Sequence, residues 1–335
     1  MYLPEGRPYL IAEIGGNHEG DFGAAVRLCD LAIGSGADAV KFQLYRADHL
    51  VNASVDPDRH EHFRSFELDR DQHTTLAERC VRAGVDYLAS VWDIDMLDWV
   101  DEYLSAYKVG SGDLTSRPIV REFARRGKPI ILSTGLATIT EIREAVTDIR
   151  SVNEFYNCLG NLVLLQCTSS YPADDGETNL RAMSTLSMIP RVEVGYSDHT
   201  RGTAALKVAS ALGARVLEFH FTDRRGERSF RDHQVSLTST EVAELRDWCD
   251  AICATLGDEE KGPTDGELRA GHRISFRRGL YPARDLSSGY RLAADDIVVL
   301  RPALGLPAEE FDSVVGATLA VDVRQGQPLD KSMLR

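Results

Sequence analysis

Two histidines, His199 in VEVGYSDHT and His220 in VLEFHFTD, each close an apolar run of the chain. Neutral imidazole is a common ligand for borderline divalent metals, so two of them at the ends of adjacent buried strands can grip one ion. A single histidine on a strand is more often a hydrogen-bonded core residue, and the weight therefore falls on the company the pair keeps. Two lysines stand in otherwise apolar runs, Lys41 in VKFQ and Lys108 in YKVGSGD. Burying an ammonium is costly unless it meets an anion, and Ser111, Ser133 and Ser197 stand ready to join it, which points to a phosphate or carboxylate site. The chemistry implied is Lewis-acid activation of a carbonyl compound beside a phosphorylated co-substrate.

Such residues need a frame that brings them together. Short apolar runs rich in β-formers alternate with longer segments of helical period, the pattern of parallel strands joined by helices. Eight such units precede residue 260, with strands expected at 9 to 14, 39 to 44, 86 to 91, 106 to 111, 129 to 134, 162 to 167, 192 to 197 and 215 to 221. Eight consecutive units are what a closed (β/α)8 TIM barrel requires. The competing open sheet lacks support, because IGGNHEGD after the first strand does not space its glycines as a dinucleotide loop does.

In such a barrel the functional residues sit at the carboxyl ends of the strands. Those ends supply Glu13, Asn17 and His18; Lys41 and Gln43; Ser90; Lys108, Ser111 and Asp113; Ser133 and Thr134; Gln166, Thr168 and Tyr171; Ser197, Asp198 and His199; and His220. The barrel is expected over residues 1–256, and 257–275, rich in charge and glycine, reads as a linker. A small β-rich domain of residues 276–335 follows, with strand-like pieces RGLYPARDL, IVVLRPALGL and VVGATLAVDVRQGQPL.

The bulk composition narrows the partners. A formal charge of −14 repels a phosphate backbone, and no basic run interleaves with aromatics, so nucleic acid is not an expected partner. No segment has membrane-spanning length and the start shows no signal-peptide pattern, giving the expectation of a cytoplasmic protein. The six cysteines lack the short paired spacings of a zinc site and read as reduced and structural, Cys249 and Cys253 sharing a helix face included.

The segments AEIGGNHEGD, VKFQ, YKVGSGD, KPIILSTG, QCTSSYP, VGYSDHT and EFHFTD follow one another in the order and spacing of bacterial sialic acid synthases, which the chain resembles along the whole barrel. The tail resembles the antifreeze-like (SAF) domain of that family through RRGLYPARDL and VLRPALGLP. The resemblance implies condensation of phosphoenolpyruvate with an aldose such as N-acetylmannosamine, giving a nonulosonic 2-keto acid and phosphate by C–O cleavage. It further implies that His199 and His220 bind Mn2+, with Mg2+ or Co2+ as substitutes, to polarise the sugar aldehyde. Lys41, Lys108, Ser111, Ser133 and Ser197 match the family's phosphoenolpyruvate ligands. Glu13 and Asp232 match residues on the sugar hydroxyls, with Gln43 and Tyr171 close by. The family is a homodimer with swapped SAF domains, and Arg301 matches an arginine that reaches the partner's sugar site.

Four departures from the family pattern stand out. Asp113 replaces the glutamate of a GSGE motif thought to position the attacking water, keeping a carboxylate one methylene shorter. Val91 replaces a threonine of the phosphate-holding STP motif, and Ser169 replaces an asparagine. The loop ERSFRDHQVS stands in place of a Gly-Pro-Asp run. These changes bear on which aldose is accepted. Two rival readings remain: a Schiff-base aldolase or lyase using Lys41 or Lys108, and a non-catalytic sugar-binding relative.

Overall fold

The computed structural model describes residues 1–335 apart from Glu227 and Ser229 and the side chain of Cys253. Part of the ERSFRDHQVS loop and one of the helix-sharing cysteines therefore lie outside the described residues. Eight parallel strands close into a barrel in sequence order. They are β1 (Tyr9–Glu13), β2 (Ala39–Leu44), β3 (Asp86–Val91), β4 (Tyr107–Val109), β5 (Ile130–Ser133), β6 (Leu162–Cys167), β7 (Glu193–Asp198) and β8 (Val216–His220). These runs are nearly continuous in apolar residues because a parallel strand inside a ring of helices is buried on both faces. β8 returns to pair with β1, placing Glu13 opposite His220, while β1 sets Glu13 opposite Lys41 on its other side.

Side chains alternate across each strand, so the lumen is read by taking every second residue. Ile11, Ala39, Leu88, Ala106, Ile131, Val163, Leu165 and Val216 form an apolar plug inside the barrel, with Met1 and Leu3 packed against it. Two residues further along the same inward rows come Glu13, Lys41, Ser90, Lys108, Ser133, Cys167 and Glu218. Each row thus changes from apolar to polar in one step toward the carboxyl end. The intervening residues, among them Val40, Phe42, Ala89, Val109, Leu132, Leu164 and Phe219, face outward into the apolar layer beneath the helices.

The helices follow from ordinary local chemistry. Helix α1 (Phe22–Gly34) is capped by the Asp21 side chain, which accepts from the Ala24 amide, and buries Ala25, Leu28, Cys29 and Ala32 on one face. Two short helices, α2 (Ala47–Leu50) and α3 (Pro57–Ser65), fill the connection after β2. α4 (Arg70–Ala83) then opens on a reciprocal capping box between Asp69 and Gln72 and stops at Gly84 in the left-handed region.

The chain divides into two compact units, Met1–Gly257 and Asp258–Arg335. The stretch expected as a structureless linker contains two short helices, Asp265–Arg269 and His272–Ser275; a Thr264 and Glu267 capping box explains the first. Beyond them an antiparallel pair, β9 (Gly279–Pro282) with β10 (Ile297–Leu300), and isolated bridges such as Leu286 with Val323 surround a small core of Leu280, Leu292, Leu306, Leu319 and Leu329. Among the described residues no helix is long and apolar enough to cross a membrane.

Candidate active site

At the carboxyl end of the barrel a cavity of about 650 Å³ collects Glu13, Lys41, Gln43, Ser90, Lys108, Ser111, Asp113, Ser133, Tyr171, Ser197, His199, His220 and Asp232. Its floor is a charged network. Lys41 Nζ donates to Glu13 Oε2 at 2.8 Å, to Ser90 Oγ at 3.1 Å and lies 3.3 Å from Glu218 Oε1. Lys108 Nζ donates to Ser133 Oγ at 2.8 Å and lies 3.3 Å from Glu218 Oε2. The anions that compensate the two buried ammonium groups are therefore the protein's own carboxylates.

Glu218 is the residue this network turns on, and it is absent from the strand-end set drawn from the sequence. The signal was present: an acid in the apolar run VLEFHF, two residues before His220 and so on the same inward row. Burial opposes its ionisation, but Lys108 and Lys41 outweigh it and hold its carboxyl down to about 2. Burial in turn lowers Lys108 below the ordinary lysine value, while Glu13 and Glu218 overcome burial to raise Lys41. Burial lifts Glu13 above the usual carboxylate range, against the pull of Lys41.

Hydroxyls converge on the same corner. The Gly135 amide donates to Ser111 Oγ at 3.0 Å, and a Cβ at position 135 would stand 2.4 Å from Ser169 Oγ and 2.8 Å from Ser111 Oγ. Only glycine allows this approach of the backbone, and it adds Ser169 to the site. Val91 does not belong there. It faces outward into the apolar layer, on the opposite side of β3 from Ser90, so a missing hydroxyl at 91 removes nothing from the cavity.

The two histidines stand together, ring centroids 5.4 Å apart, with Tyr171 4.0 Å from His199 and 5.6 Å from His220. His199 Nδ1 lies 2.7 Å from the Thr168 carbonyl oxygen. A carbonyl can only accept, so Nδ1 carries the proton and the neutral ring has its lone pair on Nε2; against the effect of burial, Cys167 and the Thr168 carbonyl raise the pKa of this ring. His220 lines the cavity and is itself buried; its Nδ1 has no hydrogen-bond partner, with Asp232 Oδ2 3.9 Å away. Burial pushes its pKa down to about 4, which leaves a neutral imidazole at neutral pH. A neutral ring with an orphaned buried nitrogen beside a second ring with a free lone pair fits a divalent ion.

A second group that could hold a metal lies elsewhere: His49, Asp93 and Asp95. Arg46 already bridges it, Nε 2.5 Å from Asp93 and Nη2 3.6 Å from Asp95, which supplies the positive charge an ion would bring.

Several expected rim residues serve the scaffold instead. Asn17 Nδ2 donates to the Phe221 carbonyl and to Ser236 Oγ, both at 2.8 Å, tying the first loop to the last. Thr134 bonds the Leu165 carbonyl, Gln166 that of Thr178 and Thr168 that of Glu177; His18 Nδ1 accepts from the Gly20 amide. Asp198 lines the cavity but is engaged by Tyr196 and Thr200. Arg301 belongs to the second unit, where its guanidinium stands 5.7 Å over the Phe276 ring.

Asp113 lines the cavity from the β4 side. Burial raises its carboxyl above the usual value, against the attraction of Lys108 and a hydrogen bond with Trp92.

An eight-stranded barrel with buried lysines, serines and a histidine pair at its carboxyl mouth has the form of a barrel enzyme, whose site is built at the ends of the strands. The chain belongs to the NeuB family, whose model matches residues 28–261, and it carries a SAF domain over residues 277–335. It is 35% identical over 336 residues to the N,N'-diacetyllegionaminic acid synthase of Legionella pneumophila, covering 96% of this chain and 93% of that one. It is 29% identical over 341 residues to the human N-acetylneuraminate-9-phosphate synthase, covering 97% and 92%. Among solved structures, the N-acetylneuraminic acid synthetase of Leptospira borgpetersenii superposes with a TM-score of 0.71 at 28% identity, over 80% of this chain and 91% of that one.

Proposed function

We propose that the cavity condenses phosphoenolpyruvate with an aldose to give a nonulosonic 2-keto acid and phosphate. The observation that carries this reading is the convergence of Lys41, Lys108, Ser111, Ser133 and Ser197 on one corner, beside two imidazoles with nitrogens to offer. A phosphorylated enol carries acceptor oxygens that the N–H and O–H donors of this corner can meet, beside ammonium groups whose charge Glu13 and Glu218 already balance.

In the reaction the enol carbon C3 bonds to the aldehyde carbon, which leaves cationic character at C2. Water adds to C2 and the C–O bond to phosphate then breaks, so one water is consumed and the bridging oxygen departs with phosphate. Asp113 is placed to take the proton from that water, as the wider family's glutamate does by resemblance. Glu13, Asp232, Gln43 and Tyr171 orient the sugar hydroxyls. A divalent ion held by His199 and His220, Mn2+ by preference over Mg2+ or Co2+, would supply Lewis acidity toward the aldehyde oxygen.

The experiment is a coupled assay of phosphate release from phosphoenolpyruvate with a panel of aldoses, with and without added Mn2+. Release that needs both an aldose and the ion supports the reading; no release with any aldose contradicts it. One feature favours a second reading, since a buried lysine with a lowered pKa such as Lys108 is what Schiff-base catalysis uses. Borohydride in the presence of pyruvate separates the two: the condensation reading gives no trapped adduct.

The resemblance extends the proposal to a homodimer with exchanged SAF domains, in which Arg301 reaches the partner's sugar site. A substrate drawn from central metabolism supports a cytoplasmic location.

A further inference from the structure

One wall of the cavity is unlike the rest. Trp92, Tyr45, Phe63, His62, Phe66 and Phe230 touch in succession, forming a belt of rings that runs from the end of β3 across α3 to the loop after β8. Neighbouring centroids lie 4.6–5.6 Å apart along this path, the separations of offset and edge-on aromatic pairs. His62, Phe63 and Phe66 come from one side of α3 and its last turn, so a single element delivers half the belt. Two of the rings are held in place from behind. A Cβ on Gly16 would stand 3.0 Å from atoms of both Phe66 and Phe230, so these two rings rest directly on the backbone that follows β1.

The belt is more apolar than the mouth of a site for two charged substrates needs to be. Phe63, Phe66, Trp92 and Phe230 are all partly open to the cavity, and apolar surface left open there is paid back only when an apolar group covers it. Two of the cations nearby are already engaged. Arg46 is held by Asp93 and Asp95; Arg231 by Asp232 at 2.9 Å and by the Tyr171 face at 4.4 Å. Arg59 lies 5.7 Å over the Phe63 ring, with Asp56 lining the same wall. A phosphate on the far end of the sugar would meet rings and a nearby carboxylate in place of a pair of free cations.

We infer that the aromatic belt is the subsite for the end of the acceptor remote from its aldehyde, and that this end is unphosphorylated and carries apolar substituents, N-acyl methyl or deoxy methyl groups. This rests on the condensation proposed above for the reaction, but the contact itself is a matter of binding. The belt selects the acceptor by covering methyl groups and the C–H face of the ring, while Glu13 and Asp232 hold the hydroxyls near the reacting carbon.

The test has two arms. In the first, saturation-transfer NMR is recorded on the full chain with N-acetylmannosamine, with its 6-phosphate and with a 2,4-diacetamido-6-deoxy hexose. The strongest saturation is expected at acyl and deoxy methyl protons, and to be lost in Phe63→Ala and weakened in Phe63→Leu, which keeps bulk without a ring. Uniform saturation of the sugar protons, or tighter binding of the 6-phosphate, would overturn the inference whether or not the protein turns over. In the second arm, phosphate release is followed at saturating phosphoenolpyruvate. Wild type should prefer the diacetamido deoxy sugar over the 6-phosphate by about 10-fold or more in kcat/KM, the value of a methyl or two in an apolar pocket. Phe63→Ala should erase that preference through the acceptor KM, with the phosphoenolpyruvate KM unchanged. Equal loss with every acceptor would assign the belt a structural role and contradict the inference, and absence of release with all sugars would instead count against the reaction.

Discussion

Glu218 is the side chain whose loss the barrel should feel most. It lies between Lys41 and Lys108, and neither lysine has another full counter-charge apart from Glu13 on the Lys41 side. Glu218→Gln keeps the volume but leaves Lys108 buried without its carboxylate. The expected loss is about 3–5 kcal/mol, the cost of breaking a buried pair, seen as a lowered midpoint in urea unfolding. Asp113 gives a second residue-level prediction, in pH. Its folded pKa is raised, so it protonates earlier than an ordinary carboxylate as the pH falls. If it must be ionised to take the proton from water, the acid limb of kcat lies above the usual aspartate range, and Asp113→Asn removes that limb together with most of kcat while leaving phosphoenolpyruvate binding near wild type. Both lysines and both histidines were visible in the sequence because a polar residue in an apolar strand is conspicuous. Glu218 obeys the same rule but lies two residues before the end of its strand, where His220 stands. Val91 misled for the converse reason: its neighbour Ser90 lines the cavity, and one step along a strand reverses the face.

At the scale of elements, the strands were legible almost to the residue, since their apolar runs are long enough to be buried on both sides and are bounded by turn residues. The connections were less so. Asn17, Thr134, Gln166 and Thr168 sit at strand ends like catalytic residues, yet each bonds a backbone carbonyl of a loop. Those bonds reach from 9 residues along the chain, for Thr168, to 204, for Asn17, and no helix or strand period reveals them. The loop after β8 shows what they do. Asn17 holds Ser236 Oγ, Ser236 Oγ donates to the Asp232 carbonyl, and His233 stands between Thr222 Oγ1 at 2.7 Å and Glu19 at 3.2 Å. Asn17→Ala frees this loop and with it Asp232, without touching the lysine corner. Steady-state kinetics should show the aldose KM rising roughly 10-fold with the phosphoenolpyruvate KM little changed, the usual scale for removing a supporting hydrogen bond. A matching rise in both would assign Asn17 to the barrel as a whole. The aromatic belt was invisible for a related reason: α3 and the ends of β2 and β3 contribute rings from separate segments, and only closure of the barrel brings them onto one wall.

For the whole molecule, the proposed exchange of SAF domains makes each site a product of two chains. Arg301→Ala should then be rescued in mixed dimers by His220→Ala: a dimer of the two variants keeps one site with His220 from one chain and Arg301 from the other. Activity of the mixture well above either parent is the expected result, and activity no higher than the parents contradicts a contribution in trans. Removal of metal acts on the same scale. Dialysis against a chelator should abolish phosphate release, and Mn2+ should restore it in wild type but not in His220→Ala, whose circular dichroism should match wild type because the substitution opens onto the cavity. The central claim is that this cavity joins an enol phosphate to an aldehyde with cleavage of the C–O bond. It is tested most directly with phosphoenolpyruvate carrying 18O at the bridging position, in the presence of Mn2+ and the accepted aldose. The account predicts phosphate that retains the label, visible as an isotope shift in its 31P resonance. Phosphate without the label would contradict it.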